Sequence, residues 1–425
     1  MKGYEYFGSL AKYGSRPGLE RVSRLAELCG RPDKRLGIIH VAGTNGKGSV
    51  ASAVAAALTD AGYRTGVFMS PYVLDPAECV KVDGVPLTRE QFDEEILAVR
   101  PFAETMSDDP ATEFELQCVA ALKYFADHGC ELVCLEVGMG GLKDATNFIG
   151  TPLVSVICAL SLDHTAWLGG SIEQIAEQKC GIIKPDGVAV SYPEQPEAAM
   201  RVIRDAAREK HNRLIVPEPE LMAGLRRDSL DRYSFGYKGL EFALSVSGRH
   251  QTLNAITSVE TLFALREAGF AISDKNITNG INSFVLPGRV EIVERPFGRV
   301  IIDAGHNLQG VQALCRVLDE MELPEKPVAV AGMLADKDYA SCAALLARRC
   351  RSLHVAPPES PRALSAEKFA EAVQNSNTES IITSHNNIYE ALSAAKAELG
   401  SNDTLLICGS FYVALNLRQA ALEAL

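Results

Sequence analysis

The chain has no apolar run of about 18 residues, so no membrane-spanning helix is expected. Its first residues, MKGYEYFGSLAKYGSRPGLERV, lack the continuous apolar segment of a secretion signal. No Cys-x-x-Cys pair occurs, which argues against a structural zinc or a thioredoxin-like site. There is no block of Lys and Arg either, and acidic residues outnumber basic ones 54 to 42, a net charge of −12. Such a surface repels polyanions, so no nucleic-acid partner is expected and small anions must be held by local donors. Fixed-period repeats and low-complexity tracts are also missing.

What is present is ordinary globular composition: 425 residues, 47% hydrophobic and 23% charged, enough for two or three domains. The eleven cysteines, an odd number, imply reduced thiols and a cytoplasmic setting. Six of them (Cys118, Cys130, Cys134, Cys158, Cys315 and Cys408) lie in apolar runs and read as small core residues.

Apolar, β-branched runs alternate with helical patterns. Strands are expected at 37–43, 65–70, 132–138, 153–160 and 187–191, with helices near 48–62, 113–129, 171–180 and 195–210. Continuous apolar strands separated by helices predict a mostly parallel sheet covered on both faces. A small antiparallel pair is expected within 232–248, then helices near 250–268 and 274–284. Pro287-Gly288 interrupts the pattern and reads as a hinge. Strands at 299–305, 327–333, 353–357, 380–383 and 404–410, each followed by a helix, predict a second, smaller Rossmann-like α/β domain. The expected organisation is a larger domain over 1–286, a hinge at 287–290 and a smaller domain over 291–425.

The strongest local signal is GIIHVAGTNGKGSVASAVAAAL. A buried strand runs into Gly43, Thr44, Asn45, Gly46, Lys47, Gly48 and Ser49, and an Ala-rich helix follows. There, backbone N–H groups and a helix N-terminus hold a phosphate chain, with Lys47 on the outer phosphates. The spacing departs from GxxxxGK[ST], since Val41 replaces the first Gly and Gly48 precedes the Ser49 hydroxyl. ATP is the default nucleotide, and an exposed Lys47 is expected. Phosphate chemistry calls for a divalent ion on hard oxygen ligands at neighbouring strand ends. Glu136 ends an apolar strand, where a carboxylate makes a poor core residue. Asp163-His164-Thr165 follows another strand; Ser70 ends a third, although before Pro71 it serves a turn equally well.

In chain order, HVAGTNGKGSV, FMSPYVLD, EVGMGGLKDATN, LDHTAWLGGSIEQIAEQKCGIIKP, GRHQTLNA, LPGR, DAGHN and CGSFYVA resemble the folylpolyglutamate synthase/dihydrofolate synthase family, relatives of the muramyl-peptide ligases. The resemblance spans nearly the whole chain from about residue 16. Muramyl-peptide ligases carry an additional N-terminal domain, for which a loop beginning at residue 43 leaves no room here. The resemblance implies an ATP-dependent ligase that joins L-glutamate to a folate or to dihydropteroate through an acyl phosphate, working as a monomer with two Mg²⁺ ions. It places Thr44, Asn45, Gly46, Lys47, Gly48, Ser49, Asn254, Arg289, Asp303 and His306 on ATP, with Arg289 reaching the terminal phosphate. It makes Ser70, Glu136 and His164 metal ligands, and Lys179 a carbamate that joins His164 at the second ion; Lys47, His164, Lys179 and Arg289 become the catalytic set. Without the resemblance, Lys179 reads as a solvated helix lysine and Arg289 as a surface residue.

On the folate side the resemblance implicates Asp144, Thr146, Pro17 and Gly18. Here the chain departs from its pattern: Leu142-Lys143 stands where many members have Arg-Leu, Arg16-Pro17-Gly18 where some have Asp-Leu-Gly, and Tyr72 where His is frequent. Two other readings stay open, a muramyl-type ligase of another carboxylate and a non-catalytic nucleotide-binding regulator.

Overall fold

The computed structural model describes the chain except residues 73–74, 230–231, 285–286, 296–297, 377–378 and 424–425, and the side chains of 422–423. The last two residues of the expected 1–286 domain lie outside the described residues. Two compact units form: Met1–Ala223 with Gly236–Phe242 and Leu253–Phe284, and Gly224–Phe235 with Ala243–Thr252 and Val285–Leu425. Segment 224–235, expected in the larger domain, joins the second unit. There Tyr233 donates to Glu320 Oε2 and Arg227 to the Glu320 carbonyl, each at 2.6 Å.

The first unit is built on eight strands, in the order Val85–Pro86, Val80–Val82, Thr65–Phe68, Leu132–Glu136, Gly37–Ala42, Val154–Ile157, Val188–Ser191, Arg213–Ile215. All neighbours from Thr65–Phe68 onward run parallel, and the two short strands at the edge are antiparallel. Apart from Gly37 the central strands are buried, which is why they read as apolar runs. Helix starts follow side-chain caps. Thr112 accepts from the Glu115 amide while Glu115 returns a bond to the Thr112 amide, opening helix Glu113–Asp127; Ser171 and Gln174 do the same for Ile172–Cys180.

The strand expected at 153–160 stops at Ile157. Cys158 N still bonds Ala42 O at 2.7 Å, but the Ala159 carbonyl turns to accept from Thr44 and Asn45. The sheet ladder is given up there to seat the loop. Helix Arg89–Glu104 contains Pro101, and strand Met222–Ser229 is largely exposed; neither has a long continuous apolar run.

The second unit holds six strands in the order Glu291–Arg295, Gly298–Ile302, Asp403–Cys408, Val328–Ala331, Ser352–Val355, Ile381–Ser384. The first pairs antiparallel with the second and the others are parallel. Helices cover both faces over two apolar clusters. Strands Met222–Ser229, Arg232–Tyr237 and Leu240–Leu244 form a small antiparallel sheet. All eleven cysteines are free thiols, ten of them buried. Among the described residues no helix is long and apolar enough to cross a membrane.

Candidate functional site

Strand Gly37–Ala42 delivers the glycine-rich loop to the C-terminal edge of the first sheet, and helix Lys47–Asp60 takes it away. A Cβ on Gly43 would fall 2.6 Å from that of Cys158, so only glycine allows the strands to approach this closely. Thr44 Oγ1 bridges the loop to Ser161, donating to its carbonyl at 3.1 Å and accepting from its amide at 3.2 Å. Gly46 has φ 86°, and a Cβ there would sit 2.5 Å from Asn254 Oδ1. Asn254, buried in helix Arg249–Glu267, is therefore brought against the loop. Gly48 and Ser49 lie in the first turn, whose N–H groups have no acceptor within the helix and face outward as anion donors.

Lys47 is not exposed as expected. Its side chain is 17% accessible, and Nζ lies 3.4 Å from the Thr44 carbonyl and 3.7 Å from Glu136 Oε1. The cause is register: Glu136 closes its strand opposite Val41, so the carboxylate stands beside the loop. A Cβ on Gly48 would lie 3.8 Å from Glu136 Oε2 and 3.7 Å from Met69 Sδ, which places the segment carrying Ser70 at the same edge.

Lys179 is the largest departure from the sequence reading. It is buried, not solvated, and its Nζ donates to the Gly43 carbonyl at 2.8 Å. Burial, and then the charge of Lys47, push its ammonium down to about 7, with Asp163 and Asp144 opposing. Ile175, Ala176 and Cys180 are the other buried residues of this helix, so Lys179 lies on the apolar stripe, a signal the sequence carried. His164 sits in the left-handed region at φ 49°, its amide held by Asp163 Oδ1 at 2.8 Å and its ring partly exposed.

Asp144 and Thr146 are buried and committed internally. Asp144 accepts from the Met139 amide at 2.7 Å, the Thr146 amide at 3.0 Å and Thr146 Oγ1 at 2.6 Å. Thr146 Oγ1 also meets His40 Nε2 at 2.9 Å. His40 was not singled out in the sequence: it is fully buried mid-strand, its Nδ1 has no hydrogen-bond partner among the described residues, and burial pushes it down to about 3. An unpaired buried nitrogen costs about 1–3 kcal/mol. Gly18, next to Pro17, comes to the same loop, where its amide donates to the Lys143 carbonyl at 3.1 Å.

In the second unit, Arg289 is half-buried, its guanidinium 4.7 Å from the centre of the Phe411 ring, and the His306 ring lies 5.2 Å from the same ring. His306 Nδ1 donates to the Ala304 carbonyl at 3.1 Å. Asp303 is buried and accepts from the amides of Val290 at 3.0 Å and Gly305 at 2.8 Å. It thereby fixes the segments on which Arg289 and His306 stand. Burial raises its carboxyl and Arg289 opposes the rise. Val290 holds φ 50°, an unfavourable conformation for a β-branched residue, clamped by that bond.

A glycine-rich loop with a lysine, a carboxylate and a buried amine at the C-terminal edge of a parallel sheet is the layout of a phosphate-binding α/β protein. The family model Mur ligase middle domain matches residues 41–262, and Mur ligase, glutamate ligase domain, matches 288–411. The chain is 32% identical over 420 residues to the dihydrofolate synthase/folylpolyglutamate synthase of Bacillus subtilis, covering 96% of each. It is similar to Escherichia coli FolC in complex with DHPP and ADP (TM-score 0.85, 31% identity, 99% and 98% of the two chains). It is also similar to a bifunctional folylpolyglutamate synthase/dihydrofolate synthase with Mn, AMPPNP and L-glutamate bound (TM-score 0.84, 29% identity, 99% and 98%). The chain belongs to the folylpolyglutamate synthase/dihydrofolate synthase family of the Mur ligases.

Proposed function

We propose that this protein is an ATP-dependent ligase that adds L-glutamate to a folate or to dihydropteroate. The observation that carries the reading is the convergence of Lys47, Glu136 and Lys179 on the Gly43–Ser49 loop, in a chain whose relatives bearing that name match it end to end. A substrate carboxylate oxygen attacks the γ-phosphorus of ATP, ADP leaves, and an acyl phosphate forms. The α-amino group of glutamate then attacks the acyl carbon, loses a proton and expels phosphate.

The N–H groups of the first helical turn, those of Gly48 and Ser49 among them, and Lys47 bind the phosphates, and Thr44 and Asn254 hold the loop in shape. Arg289 offsets charge on the transferring phosphoryl group, held in place by Asp303 through Val290 and by the face of Phe411. His306 joins it on the nucleotide, and residues 287–290 serve as the hinge before a second unit that takes the glutamate.

Glu136, Ser70 and His164 would hold Mg²⁺. Glu136 is a nearly buried carboxylate with a lysine 3.7 Å away, a donor suited to a hard cation. Among the described residues no group of three or more His, Cys, Asp or Glu side chains is assembled. When bound, such an ion neutralises phosphate charge.

Lys179, down at about 7, is in good part a neutral amine at physiological pH, the form that captures CO₂. Its nitrogen lone pair adds to the carbon and a proton is released, giving a carbamate anion in place of a cation. That change removes the repulsion from Lys47 and offers oxygen ligands for a second ion. Asp144 and Thr146 act on the folate side by shaping the loop to which the Gly18 amide, next to Pro17, is bonded. Free thiols throughout fit an enzyme of the cytoplasm, and a monomer suffices for this chemistry.

Phosphate release from ATP, measured with L-glutamate and either a reduced folate or dihydropteroate, tests the reading. Release that requires both glutamate and the pteridine supports it; ATP binding without turnover would favour the regulator instead.

A further inference from the structure

We propose that His40 is a positioning residue of the reaction, acting through Thr146 and Asp144 on the loop that holds Lys179. The inference rests on the reading above that Lys179 faces the chemistry. The bonds assign their own directions. Thr146 Oγ1 stands 2.6 Å from an oxygen of Asp144 and 2.9 Å from His40 Nε2. Burial raises the Asp144 carboxyl and its hydrogen bonds oppose the rise. Both its oxygens accept, Oδ2 from the Met139 amide and Oδ1 from the Thr146 amide and hydroxyl. The single hydroxyl proton of Thr146 therefore goes to Asp144, and Thr146 must accept from His40. His40 is therefore the neutral tautomer protonated at Nε2, with its Nδ1 lone pair unsatisfied in the core.

The far end of this relay reaches the site. Asp144 Oδ2 takes the Met139 amide at 2.7 Å and so fixes the turn of Gly138–Gly141. That turn lies directly on the helix bearing Lys179: a Cβ on Gly141 would fall 2.7 Å from the Gln178 carbonyl and 3.1 Å from Lys179 Cα. The next amide, Leu142, donates to the Gln178 carbonyl at 2.6 Å, and Asn147 Nδ2 ties the Leu142 carbonyl to that of Gly181. Lys179 in turn reaches Gly43 on the phosphate loop. His40 lies three residues before Gly43 on the strand that feeds that loop. The circuit closes on itself: strand, relay, glycine turn, lysine helix, phosphate loop. An apolar residue of equal volume would spare the core an unsatisfied nitrogen, so stability alone does not account for a histidine here.

The test compares His40→Met, which removes the donor, with His40→Gln, which returns an N–H near the Nε2 position. Ligase kinetics are read alongside amide hydrogen exchange of the full chain. His40→Met is expected to lower kcat about tenfold with the KM for ATP nearly unchanged, and to speed exchange within 138–147 and 178–182. His40→Gln should restore both to near wild-type values. The proposal is overturned if His40→Met turns over normally, if His40→Gln is as impaired as His40→Met, or if faster exchange spreads evenly through the chain. Should the wild-type chain ligate no glutamate, the functional reading fails, and the exchange patterns of the two variants still decide the relay.

Discussion

Lys179 Nζ donates to the main-chain carbonyl of Gly43 at 2.8 Å, joining the amine of one helix to the first residue of the phosphate loop. An ammonium buried there, with Lys47 nearby, is poorly tolerated, and its ionisation falls to about 7. Lys179→Ala is expected to lose turnover and to regain part of it when a short carboxylate such as acetate is added, because the acid supplies the charge and oxygens of a carbamate. Lys179→Arg should stay inactive under all buffers. Full activity of the arginine variant, measured as phosphate release, would exclude the carbamate.

Lys47→Ala should abolish nucleotide binding, followed by titration calorimetry with ADP. It also takes a cation from Glu136, so a stability loss of about 1–2 kcal/mol is expected in denaturant melts. Wild-type ADP affinity in this variant would remove the phosphate-loop assignment.

Much of this site was legible because buried carboxylates and glycine–lysine clusters have few structural uses. Glu136 ended an apolar strand with no packing reason to be charged, and Gly46-Lys47-Gly48 stood between strand and helix. Lys179 was legible only in retrospect, since one lysine on an apolar stripe looks like a solvated residue until the partner strand is known. His40 was hidden by its surroundings: in a run such as GIIHVAG nothing marks which side chain hydrogen-bonds across to residue 146. The same holds in the second unit, where Arg289 gains its place from Phe411, 122 positions away, and from the bond that the amide of its neighbour Val290 donates to Asp303. Exposed strand Met222–Ser229 left no alternation to detect.

Arg289→Ala should reduce kcat by about a hundredfold or more while ATP binding changes little, as expected for a cation used mainly in the transition state. Steady-state kinetics separate the two parameters. A rise in the KM for ATP with kcat intact would instead make Arg289 a simple binding contact.

Stability should fall as the solution is acidified. His40 is held near 3 in the folded chain against about 6.5 when unfolded, so between these values the unfolded state alone takes up the proton. From pH 7 to pH 5 this one group removes about 2 kcal/mol. His250, down at about 4 by burial, acts in the same direction in the second unit. Urea melts at the two pH values should show a smaller acid loss for His40→Gln than for the wild-type chain, and equal losses would show that His40 is not buried neutral.

The central claim, ligation through an acyl phosphate, is tested most directly by following oxygen. A reduced folate carrying ¹⁸O in its γ-carboxylate is incubated with ATP and L-glutamate, and product and phosphate are analysed by mass spectrometry. The account predicts a folate longer by one glutamyl residue and one ¹⁸O atom in each phosphate released. Phosphate free of the label, or ATP consumption with no lengthened folate, would contradict it.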